Sequence, residues 1–139
     1  MVRQRRQGGK RIFVSFEYDR DHSTALNLTN TAKGRGYPAP IFDLSLRERY
    51  TAANSAWVPK ARSMIQKCQL LVVILGQDTH NAPGVKREIQ LAKELGKQIV
   101  QIRRKGTGWG PHSLLEDRPL IDWDWSEIDK YFDSNYGQH

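Results

Sequence analysis

The distribution of apolar residues along the chain predicts alternating strands and helices. The continuous apolar run Leu70–Leu75 predicts a central strand that is covered on both faces and ends at Gly76. Four shorter apolar stretches predict strands at residues 12–16, 41–43, 98–102 and 120–123. Apolar residues at helical spacing predict helices at 23–33, 56–67 and 83–95 and a closing helix after a capping motif at Asp124. This order predicts an α/β fold, a flavodoxin-like open parallel sheet of about five strands with helices on both faces.

One acidic residue falls on the buried side of the helix that follows the central strand. The apolar stripe of this helix has helical spacing and consists of Val85, Ile89, Ala92 and Leu95. At about 100° per residue, Glu88 lies on this stripe, whereas Glu94 lies on the opposite side. Glu88 is therefore predicted to face the sheet, near the carboxyl end of the central strand.

A buried carboxylate at this position has two interpretations. Burial makes the charged form costly unless a polar or cationic group meets it. In the structural interpretation, Glu88 pairs with Arg62, Lys86 or Arg11 at the edge of the core. In the functional interpretation, it faces the crevice beyond the strand ends, where open α/β sheets bind ligands.

The length and the charge distribution favour one globular domain. The chain has 139 residues, and no apolar run approaches the roughly 20 residues that a membrane helix needs. The net charge is +7, but five of the 22 basic residues lie among the first 11 residues, which contain no acid. We therefore predict a basic N-terminal arm at 1–10 and a single domain at 11–136. The nearly neutral domain argues against nucleic acid as a partner and favours a solvated arm.

The cysteine and histidine content adds little chemistry. Cys68 is the single cysteine and cannot form an internal disulfide, and no signal-peptide pattern opens the chain, so a cytoplasmic location is expected. The four histidines show no paired metal spacing, so no metal site is predicted.

Several motifs occur in an order that resembles one protein superfamily. In chain order they are Phe16 at the end of the first strand, a helix led by Trp57, the apolar strand Leu70–Leu75, the step Gly76-x-x-Thr79, the core Val85-x-x-Glu88-Ile89 and the closing segment 92–102. The chain resembles the TIR and TIR-like domains over roughly residues 10–103. It is most similar to the TIR-like branch of prokaryotic Thoeris antiviral systems.

The resemblance implies an enzyme that cleaves NAD and releases nicotinamide, with NAD as its substrate and no cofactor. Glu88 takes the catalytic position, where a carboxylate would stabilise the positive charge that develops on the ribose. The resemblance places the following residues at the nucleotide: Phe16, Tyr18, Asp19, Asp43, Gly76, Thr79 and Gly84. Arg47 and Arg49, in the charged loop 44–55, are further candidates to face the nucleotide, and an exposed loop without this role is the alternative.

The resemblance also implies partners. Capture by water would give ADP-ribose, and capture by an internal hydroxyl would give a cyclic isomer. In Thoeris systems a cyclic product is a diffusible messenger that switches on a separate NAD-consuming effector protein. A phage-derived trigger and self-association are expected as well. Gly84 stands where many active members carry a tryptophan that lines the nucleotide pocket, which favours an alternative: a catalytically silent TIR-like module that acts by self-association.

Two charged segments invite other hypotheses. The acidic loop 17–21 resembles the site of a phosphoacceptor receiver domain, but the matching aspartate and lysine at later strand ends are missing. In this loop, Asp21 or Ser23 is predicted to cap the first helix. Residues 103–111 are predicted to form a flexible basic loop whose cations could attract a diphosphate, although its glycines do not match a dinucleotide fingerprint.

Overall fold

The structure is a computed structural model that describes residues 9–41 and 56–133. A parallel sheet contains, side by side and in this order, β1 (Ile12–Ser15), β2 (Leu70–Leu75), β3 (Gln98–Arg103) and β4 (Leu120–Asp122). The α-helices of these ranges are α1 (Tyr18–Gly34), α2 (Trp57–Gln66), α3 (Pro83–Glu94) and α4 (Trp125–Phe132). None of these helices has the length and apolar composition that crossing a membrane requires.

The predicted α/β fold is confirmed, with a small difference in the number of strands. The described part of the chain forms four strands rather than about five. The difference concerns the strand predicted at 41–43, of which only Ile41 is described. Ile41 forms a parallel bridge with Phe13, so the chain after α1 returns to the side of β1 that faces away from β2. Residues 42 and 43 lie outside the described ranges.

Two helical layers cover the sheet, as the alternation predicts. Ile12 and Val14 of β1 face the layer formed by α1 and α4, whereas Phe13 faces the layer formed by α2 and α3. All six residues of β2 are buried, because this strand lies between β1 and β3 and is covered on both faces. The sheet therefore separates two hydrophobic cores.

The first helix begins earlier than predicted, and the predicted cap at Asp21 or Ser23 is wrong. The carboxylate of Glu17 accepts hydrogen bonds from the backbone N–H groups of Asp19, at 3.3 Å, and Arg20, at 2.8 Å. These bonds satisfy two donors that would otherwise be unpaired at a helix start. The helix therefore begins at Tyr18 and extends close to the end of β1.

Candidate active site

The candidate site lies where the strand order reverses at the carboxyl end of the sheet. From β1 the chain first reaches Ile41 on one side of the strand and later places β2 on the other side. Such reversal points leave a crevice between the loops that leave neighbouring strands. Ser15 ends β1 there, and Gly76 follows the end of β2.

Glu88 faces the sheet, as its helical position predicts. It lies in α3 on the side that carries Val85, Ile89 and Ala92, and only 8% of its surface is exposed. The hydroxyl of Ser15 donates a hydrogen bond to the Oε1 atom of Glu88, at 2.7 Å. The bond joins the end of β1 to the first half of α3 and fixes the orientation of the carboxyl group.

The carboxyl group of Glu88 has an unusual affinity for its proton. Burial raises its pKa from the ordinary value of 4.5 to about 8, and the hydrogen bond from Ser15 opposes this rise. At neutral pH, Glu88 in this environment is therefore mostly protonated. A positive charge placed beside it would favour the ionised form.

The ion pair proposed for Glu88 in the structural interpretation is absent from the described part of the chain. Arg62 instead pairs with Glu94 at 2.5 Å, on the outer side of α3. Lys86 and Arg11 are exposed, and no described cation lies within ion-pair distance of Glu88. The group is thus a buried acid whose described partner is a neutral hydroxyl.

Gly76 and Thr79 shape the loop after β2. The Thr79 hydroxyl accepts a hydrogen bond from the Gly76 N–H, at 2.7 Å, and donates one to the Ile74 carbonyl, at 3.2 Å. Thr79 is fully buried, and its hydroxyl is occupied by these two bonds. Thr79 therefore holds the loop through its buried hydroxyl, and its predicted contact with the nucleotide stays a prediction.

Asp21 is a second buried acid at this end of the sheet. It lies in the first turns of α1 with 6% of its surface exposed, and its Oδ2 atom has no hydrogen-bond partner within the described ranges. A Cβ atom on Gly76 would lie 2.5 Å from this oxygen, so the close approach requires glycine. Burial, followed by the nearby charge of Glu17, raises the pKa of Asp21.

Aromatic side chains cluster at the N-terminus of α1. The rings of Phe16 and Tyr18 stack with centroids 6.0 Å apart, and the ring of His22 lies 5.1 Å from that of Tyr18. All three side chains are half-buried, whereas Asp19 is exposed. Phe16 and Tyr18 are thus brought together at the end of β1.

Gly84 lies in the first turn of α3, four residues before Glu88 and on the same side of the helix. It is half-buried.

Asp43, Arg47 and Arg49 lie outside the described residues. Within those residues, no group of three or more histidine, cysteine, aspartate or glutamate side chains is arranged to hold a metal ion.

Two residues of this site were missed in the sequence, and each left a signal there. Ser15 is the polar residue of an otherwise apolar strand, and the alternation of the strand places it on the same face as Phe13. Asp21 precedes Ala25, Leu28 and Ala32 at helical spacing, which predicts a buried position once the helix begins at Tyr18.

Comparisons with known proteins give a family and a set of solved structures with a similar fold. A family model described as the TIR-like domain of the Thoeris protein ThsB matches residues 13–108. The structure of the CMP N-glycosidase BcmB from Clostridium botulinum has a similar fold, with a TM-score of 0.56 and 16% sequence identity over 88% of this chain and 99% of that one. The comparison with curated protein sequences gives no match.

Proposed function

We propose that this chain, which belongs to the TIR-like domain family of the Thoeris protein ThsB, cleaves the bond between nicotinamide and ribose in NAD. The proposal rests on the family and on the environment of Glu88. The related fold of BcmB, which is named as an N-glycosidase acting on CMP, is consistent with cleavage of an N-glycosidic bond.

The observation that carries the proposal is a buried acid at the end of the sheet that has no ion pair within the described residues. Glu88 is almost inaccessible to solvent, and its described partner is the Ser15 hydroxyl. A carboxyl group kept in this environment without a cation is costly for the fold, which is typical of functional sites. The nicotinamide ring of NAD carries a positive charge and would supply the missing cation.

The proposed reaction needs no general acid. The bond between ribose C1′ and the ring nitrogen breaks with both electrons moving to nicotinamide, which leaves as a neutral molecule. Positive charge then develops on the ribose, and the ionised carboxylate of Glu88 stabilises it. Water can add to C1′ and release a proton, which gives ADP-ribose, or a nucleophile within the same molecule can add, which gives a cyclic isomer.

The other site residues have proposed roles that follow from their positions. Phe16 and Tyr18 provide an aromatic wall for the nucleotide beside β1. Ser15 orients the carboxylate through its hydrogen bond. Gly84 lies one helical turn before Glu88, beside the proposed substrate, and Thr79 acts by holding the loop after β2. Asp19 and Asp43 remain proposed contacts of the substrate.

In antiviral defence, the proposed role of this reaction is signalling. A cyclic ADP-ribose product would diffuse to an effector protein, and a phage-derived trigger or self-association would order the site. Membership of the Thoeris family supports a role together with other defence components.

The test is release of nicotinamide from NAD by the purified protein, measured by chromatography. Glu88→Gln is expected to lower the rate roughly a hundredfold or more, as is typical when a preorganised electrostatic group is lost. Glu94→Gln is the matched control, since Glu94 lies on the exposed side of the same helix and is expected to leave the rate unchanged. Equal rates for wild type and Glu88→Gln would exclude Glu88 as the catalytic group. No nicotinamide from the wild type, with and without extract of phage-infected cells, would reject the enzyme.

A second candidate function is a silent module that acts by self-association, and Gly84 supports it because the TIR-like resemblance implies a tryptophan at this position in active members. This function predicts concentration-dependent assembly in analytical ultracentrifugation with no release of nicotinamide. Restoring the aromatic residue with Gly84→Trp would then not create activity.

A further inference from the structure

A groove on the other face of the sheet is not used by the proposed reaction. We call it the α1 groove, a cavity of about 510 Å³ with the following lining residues: Ser23, Thr24, Asn27, Arg104, Lys105 and Trp123. Its volume falls in the range of about 300–1,000 Å³ that is typical of small-molecule sites. Trp123 packs against the core of the α1 and α4 layer, whereas Glu88 belongs to the α3 layer on the opposite face.

One wall of the α1 groove is positively charged. Arg104 and Lys105 follow the end of β3, and both side chains are exposed. Lys105 lies 3.7 Å from a carboxylate oxygen of Asp124, which is a long ion pair at an exposed position and contributes little. Arg104 has no ion pair within 4 Å among the described residues, and the acid affected by its charge is the buried Asp21. The wall therefore offers two cations to an anionic ligand, and a planar guanidinium can donate two parallel hydrogen bonds to a phosphate.

The other walls are suited to a base and a sugar. Trp123 is half-buried and offers an indole ring, on which planar bases stack. On the facing helix, the Oδ1 atom of Asn27 accepts a hydrogen bond from the Thr31 hydroxyl, at 3.2 Å, which leaves its amide N–H groups able to donate. Ser23 and Thr24 add hydroxyl groups one turn earlier.

We propose that the α1 groove binds a nucleoside phosphate, with the base against Trp123 and the phosphates between Arg104 and Lys105. The cations select for an anion, the indole selects for a planar ring, and the helix side chains bind polar groups between them. The groove lies on the α1 side of the sheet and Glu88 lies on the α3 side, so binding here is proposed independently of the cleavage of NAD.

The test is calorimetric titration of the full chain with ADP, pyrophosphate and adenosine at physiological salt. ADP is expected to bind more tightly than either fragment, because it engages both the indole ring and the cations. Equal affinity for ADP and pyrophosphate would overturn the proposal, since it would indicate a site for phosphate alone. Absence of ADP binding at millimolar concentrations would also overturn it.

Matched variants assign the binding to the groove. Asn27→Asp places a negative charge inside the groove and is expected to weaken ADP binding by about tenfold or more, since it replaces a donor by a group that repels phosphate. Asn30→Asp is the control, because it adds the same charge to the same helix at an exposed position that does not line the groove. Equal weakening by both variants would overturn the proposal.

A second pair of variants separates this proposal from the proposed reaction. The double variant Arg104→Ala, Lys105→Ala is expected to weaken ADP binding by about tenfold or more. The control is the double variant Lys33→Ala, Lys67→Ala, which removes the same charge from distant exposed positions and is expected to have little effect. Glu88→Gln is expected to retain ADP binding. Binding of ADP that survives the loss of Arg104 and Lys105, or that is lost with Glu88→Gln, would overturn the proposed nucleotide site. Neither result would bear on the cleavage of NAD.

Discussion

When Glu88 is replaced by glutamine, the stability of the variant relative to the wild type should increase as the pH rises. In the unfolded chain the carboxyl group ionises above its ordinary pKa of 4.5, whereas in the folded protein it keeps its proton up to a pKa of about 8. As the pH rises from 4.5 to 8, the unfolded state therefore gains stability relative to the folded state. The wild type therefore has its full stability below pH 4.5 and loses part of it as the pH rises to about 8. Glutamine does not titrate and avoids this loss.

The pKa values set the size of the effect. Each pH unit between the two values contributes about 1.4 kcal/mol, so the loss in the wild type amounts to about 3 kcal/mol at neutral pH. Glutamine retains an oxygen that accepts the Ser15 hydrogen bond, and any constant cost of its amide group cancels when one variant is compared across pH values.

The assay is urea unfolding of wild type and Glu88→Gln, followed by tryptophan fluorescence, at several values between about pH 4.5 and pH 8.5. The free energy of unfolding of the variant minus that of the wild type is expected to increase across this range. Glu94→Gln is the control, since the exposed ion pairs of Glu94 are worth about 0–1 kcal/mol. A difference between Glu88→Gln and wild type that stays constant with pH would refute the reasoning, because the carboxyl group would then titrate alike in both states.

Three further changes test the site. Gly76→Ala should lower the free energy of unfolding by about 1–3 kcal/mol, because the new methyl group meets the buried carboxylate of Asp21, whereas Gly110→Ala, with open space around it, should be neutral in the same urea assay. Ser15→Ala should move the rise of kcat/KM for NAD to higher pH, since the hydroxyl lowers the pKa of the buried acid; an unchanged pH profile would show that the bond does not act on the reacting group. Glu17→Ala should cost about 1 kcal/mol by removing the cap of α1, and an unchanged thermal midpoint would contradict this.

Much of the fold was predictable because its strongest patterns are those of buried elements. The run Leu70–Leu75 is bounded in the structure as in the sequence, since a strand covered on both faces leaves no polar residue inside it. The helical spacing of α3 was also enough to predict that Glu88 faces the sheet.

The parts that sequence reasoning missed depend on an unusual helix cap and on contacts between distant segments. The start of α1 depends on a glutamate acting as its cap, although serine, threonine, aspartate and asparagine are the residues preferred there. The proximity of Asp21 to Gly76 and the bond from Ser15 to Glu88 join segments far apart in the chain, and no local pattern encodes either contact. The expectations for Asp43, Arg47 and Arg49 fall outside the described residues and stay predictions.

Within the described residues, no cation pairs with Glu88, and this has a consequence for inhibitor design. A compound with a permanently charged pyridinium ring joined to a sugar mimic by a carbon–carbon bond would complete the electrostatic match without offering a bond to break. Its binding would require proton loss from the acid, so its affinity should increase as the buffer becomes more alkaline. An uncharged ring of the same shape should show no such gain.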